Sequence, residues 1–147
     1  MNKGFALIEM VVYIGLFSIV IGGGMVATYQ IMESTNAGTS HVILQEEANF
    51  LLRKINWALT GAKIANPSGT TLNITKYDGT TYVFNLDSGN LMLNGTPLNS
   101  SSISVSELNF SSPGTNGVKT SFKLTTVQDG REASQTFSTT KYLRKND

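Results

Sequence analysis

Glu9 is the residue whose setting most demands chemistry. It stands in an otherwise apolar stretch that begins at Phe5, and from Met10 to Met32 no residue carries a charge. A helix of that length crosses a bilayer. A carboxylate in such a segment costs roughly 2.5–3.5 kcal/mol on an insertion scale at mid-membrane, and less near the interface. A charge kept there needs a positive partner at the same depth. A free α-amino group at Phe5 would supply one.

The remaining reactive side chains do not assemble into a site. His41 is the only histidine, and with no cysteine and no nearby acid cluster its spacing makes neither a zinc site nor a catalytic base. No serine lies in a nucleophile elbow or is spaced with His41 and an acid as a triad. Asp78, Asp87, Asn90 and Asp129 fall in turn-forming stretches, where such side chains hold the local backbone. Asp87 with Asn90 is the least poor calcium candidate, and one carboxylate falls far short of the roughly six to eight oxygens that ion takes. The glycines form no phosphate loop. Asn73, Asn99 and Asn109 each begin a glycosylation sequon, for which chance suffices in a chain rich in Asn, Ser and Thr. No catalytic residue, metal or cofactor is expected.

The segment Lys3-Gly4-Phe5-Ala6-Leu7-Ile8-Glu9-Met10, followed by the apolar run, resembles the type IV pilins and their relatives, the type II secretion pseudopilins and competence pilins. The likeness is to a prepilin with a class III leader, and it covers the first quarter of the chain. It implies that a prepilin peptidase cuts between Gly4 and Phe5 and methylates the new N-terminus at Phe5. It also implies that Glu9 neutralises the N-terminal amine of a neighbouring subunit during filament assembly. The implied partners are other pilin or pseudopilin subunits, the prepilin peptidase, an inner-membrane assembly platform and the cytoplasmic membrane. Ala6 stands where Thr or Ser is usual in the family, and the leader, Met1 to Gly4, is shorter than most, with one basic residue. The proline that many major pilins carry in the apolar run is missing. Thr136 to Arg144 is similar to the closing strand of minor pilins and of J-like or H-like pseudopilins. Both features favour a minor subunit.

Two other readings share the apolar segment. A cleaved secretory signal needs a basic start, an apolar core and a small-residue cleavage site; Glu9 fits that core poorly, and Val26-Ala27-Thr28 is a weak site. A signal anchor carrying an extracytoplasmic binding domain is the alternative function. Pilin and anchor agree on orientation, with Lys3 cytoplasmic and the longer C-terminal part outside.

Composition bounds the rest. A chain of 147 residues with 14% charged residues and no cysteine allows one modest outer domain held by packing, without a disulfide framework. The formal charge of +1 makes no basic field to attract nucleic acid.

The elements follow from periodicity. Residues 1–4 read as leader, 5–32 as transmembrane and assembly helix, 33–61 as amphipathic stalk helix and 62–147 as an extracytoplasmic antiparallel β domain. Gly22-Gly23-Gly24 each cost about 1 kcal/mol relative to alanine in a helix, so the helix is weakest there; the glycines suit either local unwinding in a filament or close helix packing. Asn36 to Ser40 reads as a kink or short break. At 100° per residue, Leu44, Ala48, Leu51, Leu52, Ile55, Ala58 and Leu59 form one stripe about 120° wide. Ile43, Phe50 and Trp57 form a second, which either faces a neighbouring subunit or widens the core face. Glu46 and Glu47 precede Arg53 and Lys54 by seven positions, as a solvated helix face or as partners for adjacent stalks. If unbroken from Phe5 to Leu59, this helix would be about 80 Å long.

Beyond Gly61 the pattern is of strands. Turns are expected at Pro67-Ser68-Gly69, at the two-residue hairpin Asp78-Gly79, at Asp87 to Asn90, at Asn94-Gly95 and at Asp129-Gly130. Between them lie strands at Thr71–Tyr77, Thr80–Leu86, Leu91–Leu93, around Ile103, Val105, Leu108 and Phe110, at Val118–Val127 and at Ala133–Leu143. The fold class expected is α+β: a long N-terminal transmembrane and stalk helix packed on a C-terminal antiparallel sheet, a meander in the pilin-like manner. Arg144 to Asp147 reads as a loose charged tail.

Overall fold

The computed structural model describes residues 3–114, 116–128 and 130–143, with the backbone alone for residues 3–6 and 33–37. The architecture is α+β: among the described residues one helix, α1 (Lys3–Leu59), is followed by eight strands. The chain forms two compact units, Met1–Thr39 and Ser40–Asp147. Met1, Asn2 and the charged tail lie outside the described residues.

No proline occurs before Pro67, so nothing in α1 lacks its backbone donor. Residues 36–40, where the sequence suggests an interruption, are helical throughout, and so are Gly22 to Gly24. The reason is cooperativity: weak formers cost at most about 1 kcal/mol each, whereas a break requires a new and unfavourable nucleation. The helix stops at Gly61, whose φ is +74°. Thr60 N–H still reaches the Asn56 carbonyl at 2.9 Å, and the left-handed glycine turns the chain out of the helix.

The strands divide into two antiparallel sheets where the sequence suggested one. Strands β1 (Ala62–Ser68), β2 (Thr71–Lys76), β3 (Thr81–Asp87), β4 (Asn90–Leu93) and β5 (Thr96–Pro97) form the first, in chain order. Strands β6 (Ile103–Ser111), β7 (Gly117–Gln128) and β8 (Arg131–Tyr142) form the second. The meander expectation therefore holds within each sheet. The sheets touch where Phe110 N–H donates to the Gly69 carbonyl at 2.6 Å and Val105 N–H to that of Gly89 at 2.8 Å.

Turn chemistry sets the register. Asp87 pairs with Asn90 and Leu93 with Thr96, and the two residues inside each turn all have positive φ: Ser88 +49°, Gly89 +78°, Asn94 +51° and Gly95 +80°. These are the mirror-image turns that match strand twist. The Asp78-Gly79 hairpin is longer than the two-residue form expected. Lys76 N–H bonds to the Thr80 carbonyl at 2.9 Å, which leaves Tyr77, Asp78 and Gly79 in the loop. The Asp78 carboxylate accepts the Thr80 N–H at 2.8 Å; this bond, with smaller help from the Thr80 hydroxyl and Lys76, lowers its pKa.

Strand β1 was not evident in the sequence, which suggested a turn at 67–69. Pro67 instead pairs with Leu72 inside β1, and Ser68 with Thr71. An edge strand tolerates the missing donor of a proline. Within β6 the inward residues are Ile103, Val105, Leu108 and Phe110. The three-residue step from 105 to 108 is a β-bulge: the register to β7 shifts between Ser106 and Asn109, and Glu107 takes a φ of +51°. Without the extra residue, Leu108 and Phe110 would face solvent.

One core serves the second unit. Leu44, Ala48, Leu51, Ile55, Ala58 and Leu59 from α1 cluster with Leu72, Ile74, Phe84 and Leu91 of the first sheet and with Val105, Phe110, Val118, Phe122 and Leu124 of the second. The stripe read from periodicity is thus the buried one, Leu52 being only partly covered. The buried side chain of Asn99 holds the connection between the sheets. Its Oδ1 accepts Leu91 N–H at 2.9 Å, and its Nδ2 donates to the Ile103 carbonyl at 2.6 Å. Glu47 ties α1 to the same connection by accepting Ser100 N–H at 2.7 Å.

Candidate functional site

Residues Leu7–Met32 form a segment of 26 residues long and apolar enough to cross a membrane, with none of it buried within the chain. Its large side chains, from Leu7 and Ile8 to Ile31 and Met32, point outward on every side of the helix. A helix apolar all round needs an apolar medium, either lipid or other helices. The polar side chains inside the segment are handled locally. Ser18 Oγ donates to the Ile14 carbonyl at 2.7 Å, and Thr28 Oγ1 to that of Gly24 at 2.9 Å. Hydroxyls folded back in this way need no water.

Glu9 is the one charged residue in this segment, near its N-terminal end. Its Oε1 accepts the Tyr13 hydroxyl at 3.1 Å, one helical turn on. The sequence reading did not anticipate Tyr13, although the four-residue spacing on a helix was there to be seen. A carboxylate can accept about four hydrogen bonds, so the bond to Tyr13 leaves room for a cation. The peptide bond between Gly4 and Phe5 lies in helical backbone, and the side chains of those two residues fall outside the description. The described site thus consists of a carboxylate, the tyrosine hydroxyl one turn on and an apolar helix surface around both.

The glycines of the helix are not required by close packing in the described residues. A Cβ at Gly15, Gly22, Gly23, Gly24 or Gly38 would meet nothing within 4 Å.

The other candidates resolve as follows. Among the described residues no three His, Cys, Asp or Glu groups gather to hold a metal, and His41 is exposed. Asp87 accepts the Ser88 hydroxyl at 3.1 Å, while Asn90 accepts from Asn99 at 3.1 Å; both act in their turn. Of the sequon asparagines, Asn73 and Asn109 are exposed, whereas Asn99 is buried with its amide engaged, which closes it to a glycosyl donor in the folded chain. A groove of about 420 Å³ is lined by Leu59 to Ala62, Tyr77, Lys141, Tyr142 and Leu143; among the described residues no acid or histidine lines it. Searched against family models, curated proteins and solved structures, the chain matches none.

Proposed function

We propose that this chain is a membrane-inserted structural subunit, of the pilin and pseudopilin kind and most simply a minor one, that polymerises through its N-terminal helix. The observation that carries this reading is a helix apolar on every side that keeps a single carboxylate one turn beyond Phe5. In this account the apolar helix stores the subunit in the cytoplasmic membrane, N-terminus inside. A prepilin peptidase removes residues 1–4 and methylates the Phe5 amine. Glu9 of an incoming subunit then pairs with such an amine while the assembly platform extrudes the filament to the periplasm or beyond. Burial of the two charges against each other lowers the cost of each in hydrocarbon, so subunits in the right axial position are favoured over others.

The chemistry asked of the protein is non-catalytic: an ion pair and apolar burial. The apparatus served (secretion, DNA uptake, adhesion or motility) is set by its partner subunits. Glu9→Val and Gly4→Glu test the mechanism. Both variants should fractionate with the membrane at normal levels and be missing from sheared filaments on immunoblots. Normal incorporation of both would refute it, leaving a signal-anchored binding domain as the reading to pursue.

A further inference from the structure

Among the described glycines outside α1, only Gly117 lacks a positive φ. Its backbone would suit any residue, but its flank would not. A Cβ there would stand 3.0 Å from Pro113 Cγ and 3.1 Å from Tyr142 Cε1. Close approach of the Tyr142 ring is therefore what this glycine permits. Tyr142 is the cross-strand partner of Gly117 on β8, and the chain just beyond is fixed by Leu143 N–H donating to the Asn116 carbonyl at 2.8 Å. Tyr142 is nonetheless 65% exposed. An aromatic ring held on one side and open on the other loses little freedom when a ligand meets it.

Tyr142 borders the groove of about 420 Å³ at the end of α1, a volume within the range of small-ligand sites. Tyr77, 54% exposed, borders it too. Lys141 contributes an ammonium that forms no ion pair among the described residues. The acid next to Tyr77, Asp78, commits its carboxylate to the Thr80 N–H at 2.8 Å. Leu59 and Thr60 bring in the end of the helix, whose last carbonyls have no donor within it; Thr60 N–H serves two of these, on Asn56 and Trp57. The groove thus combines aromatic rings, the acceptor end of a helix and one unpaired cation.

We propose that this groove binds a saccharide bearing a carboxylate, that is, a uronic-acid unit of a glycan. A pyranose ring has C–H faces that lie on tyrosine, hydroxyls that donate to carbonyls and, when oxidised at C6, a carboxylate for Lys141. Gly117 is a positioning residue, acting through the Tyr142 ring. A nucleic acid would need several cations along a track, and one lysine beside the partially negative end of a helix does not supply them. An apolar ligand would strip water from the ammonium and the carbonyls without replacing its hydrogen bonds. The groove lies within the compact unit Ser40–Asp147, so the proposal stands whether or not the chain polymerises.

Full-length protein in detergent micelles is titrated by isothermal calorimetry with trigalacturonate, with maltotriose as the neutral probe and trithymidylate as the nucleic-acid probe. Trigalacturonate should bind with saturation, more tightly than maltotriose by up to about fivefold, the scale of one exposed ion pair. Lys141→Gln should erase that preference and leave maltotriose binding unchanged. Tyr142→Ala should weaken both sugars by about fivefold, the scale of one aromatic contact, and Tyr142→Phe should restore them. Gly117→Ala, which alters no ligand contact, should weaken both sugars as Tyr142→Ala does. Unchanged thermal melting by Trp57 fluorescence checks that each variant folds; if Gly117→Ala does not, the variants at 141 and 142 decide. No saturable heat with trigalacturonate, equal affinity for the two sugars, wild-type binding by Tyr142→Ala, or tighter binding of trithymidylate overturns the proposal. Each of these results leaves the proposed function untouched, because none of the variants lies in the membrane helix.

Discussion

Leu16 and Leu51 lie on one helix, yet Leu16 is 56% exposed and Leu51 is fully buried. The contrast runs along both segments. Residues 7–32 are apolar on every side and exposed, whereas residues 40–59 are apolar chiefly on the side that two sheets cover. Helical propensity does not separate them, since α1 is helical through both. What separates them is where the burial is found. The second segment completes its own domain; the first stays exposed in the chain. In the proposed function this division separates folding from assembly.

Paired substitutions sharpen the contrast. Leu51→Ala should destabilise the β domain by about 2–5 kcal/mol through lost transfer energy and a cavity. Leu16→Ala should leave the domain's unfolding midpoint unchanged. Trp57, the only tryptophan, packs edge-on to Tyr82 with ring centres 5.1 Å apart and reports the transition by fluorescence in detergent-solubilised full-length protein. Equal effects from the two leucines would break the comparison.

The two glutamates should differ next. Glu47→Ala removes the acceptor for Ser100 N–H and should cost about 1–2 kcal/mol of domain stability, the range of a charge-assisted bond partly open to water. Glu9→Ala should cost the domain nothing, its effect falling on incorporation alone. Denaturant titrations of both variants decide the point.

The glycines give the smallest effects, of opposite sign. Gly24→Ala should stabilise the membrane helix by about 1 kcal/mol, read as slower amide exchange at residues 20–28 in bilayers. Gly61→Ala should lower domain stability by about 1 kcal/mol, because alanine must adopt the left-handed φ of +74°. Faster exchange around Gly24→Ala would show that the glycines serve the monomer after all.

Much of this contrast was legible in the residues. The buried stripe from Leu44 to Leu59 follows from 3.6-residue periodicity, and most strands from alternation and turn residues. Three features were not. Strand β1 has no clean alternation and contains Pro67, so only its pairing partner β2 defines it. The bulge at Glu107 reads in sequence as a slip of phase between Val105 and Leu108, which alternation alone does not interpret. The division into two sheets occurs across Leu98 to Ser102, a polar connection whose buried anchor, Asn99, looks in sequence like any loop asparagine. At the candidate site Glu9 stood out because a charge in an apolar run is rare. Tyr13 did not, because a tyrosine there passes for another apolar side chain until its hydroxyl is seen to meet the carboxylate.

The claim at the centre of this account is that an amine freed at Phe5 becomes the counter-charge for Glu9. Intact-mass and N-terminal peptide spectrometry of the protein recovered from its native envelope measures this directly. The account predicts a mature chain beginning at N-methylated Phe5; a chain that still begins at Met1 would contradict it.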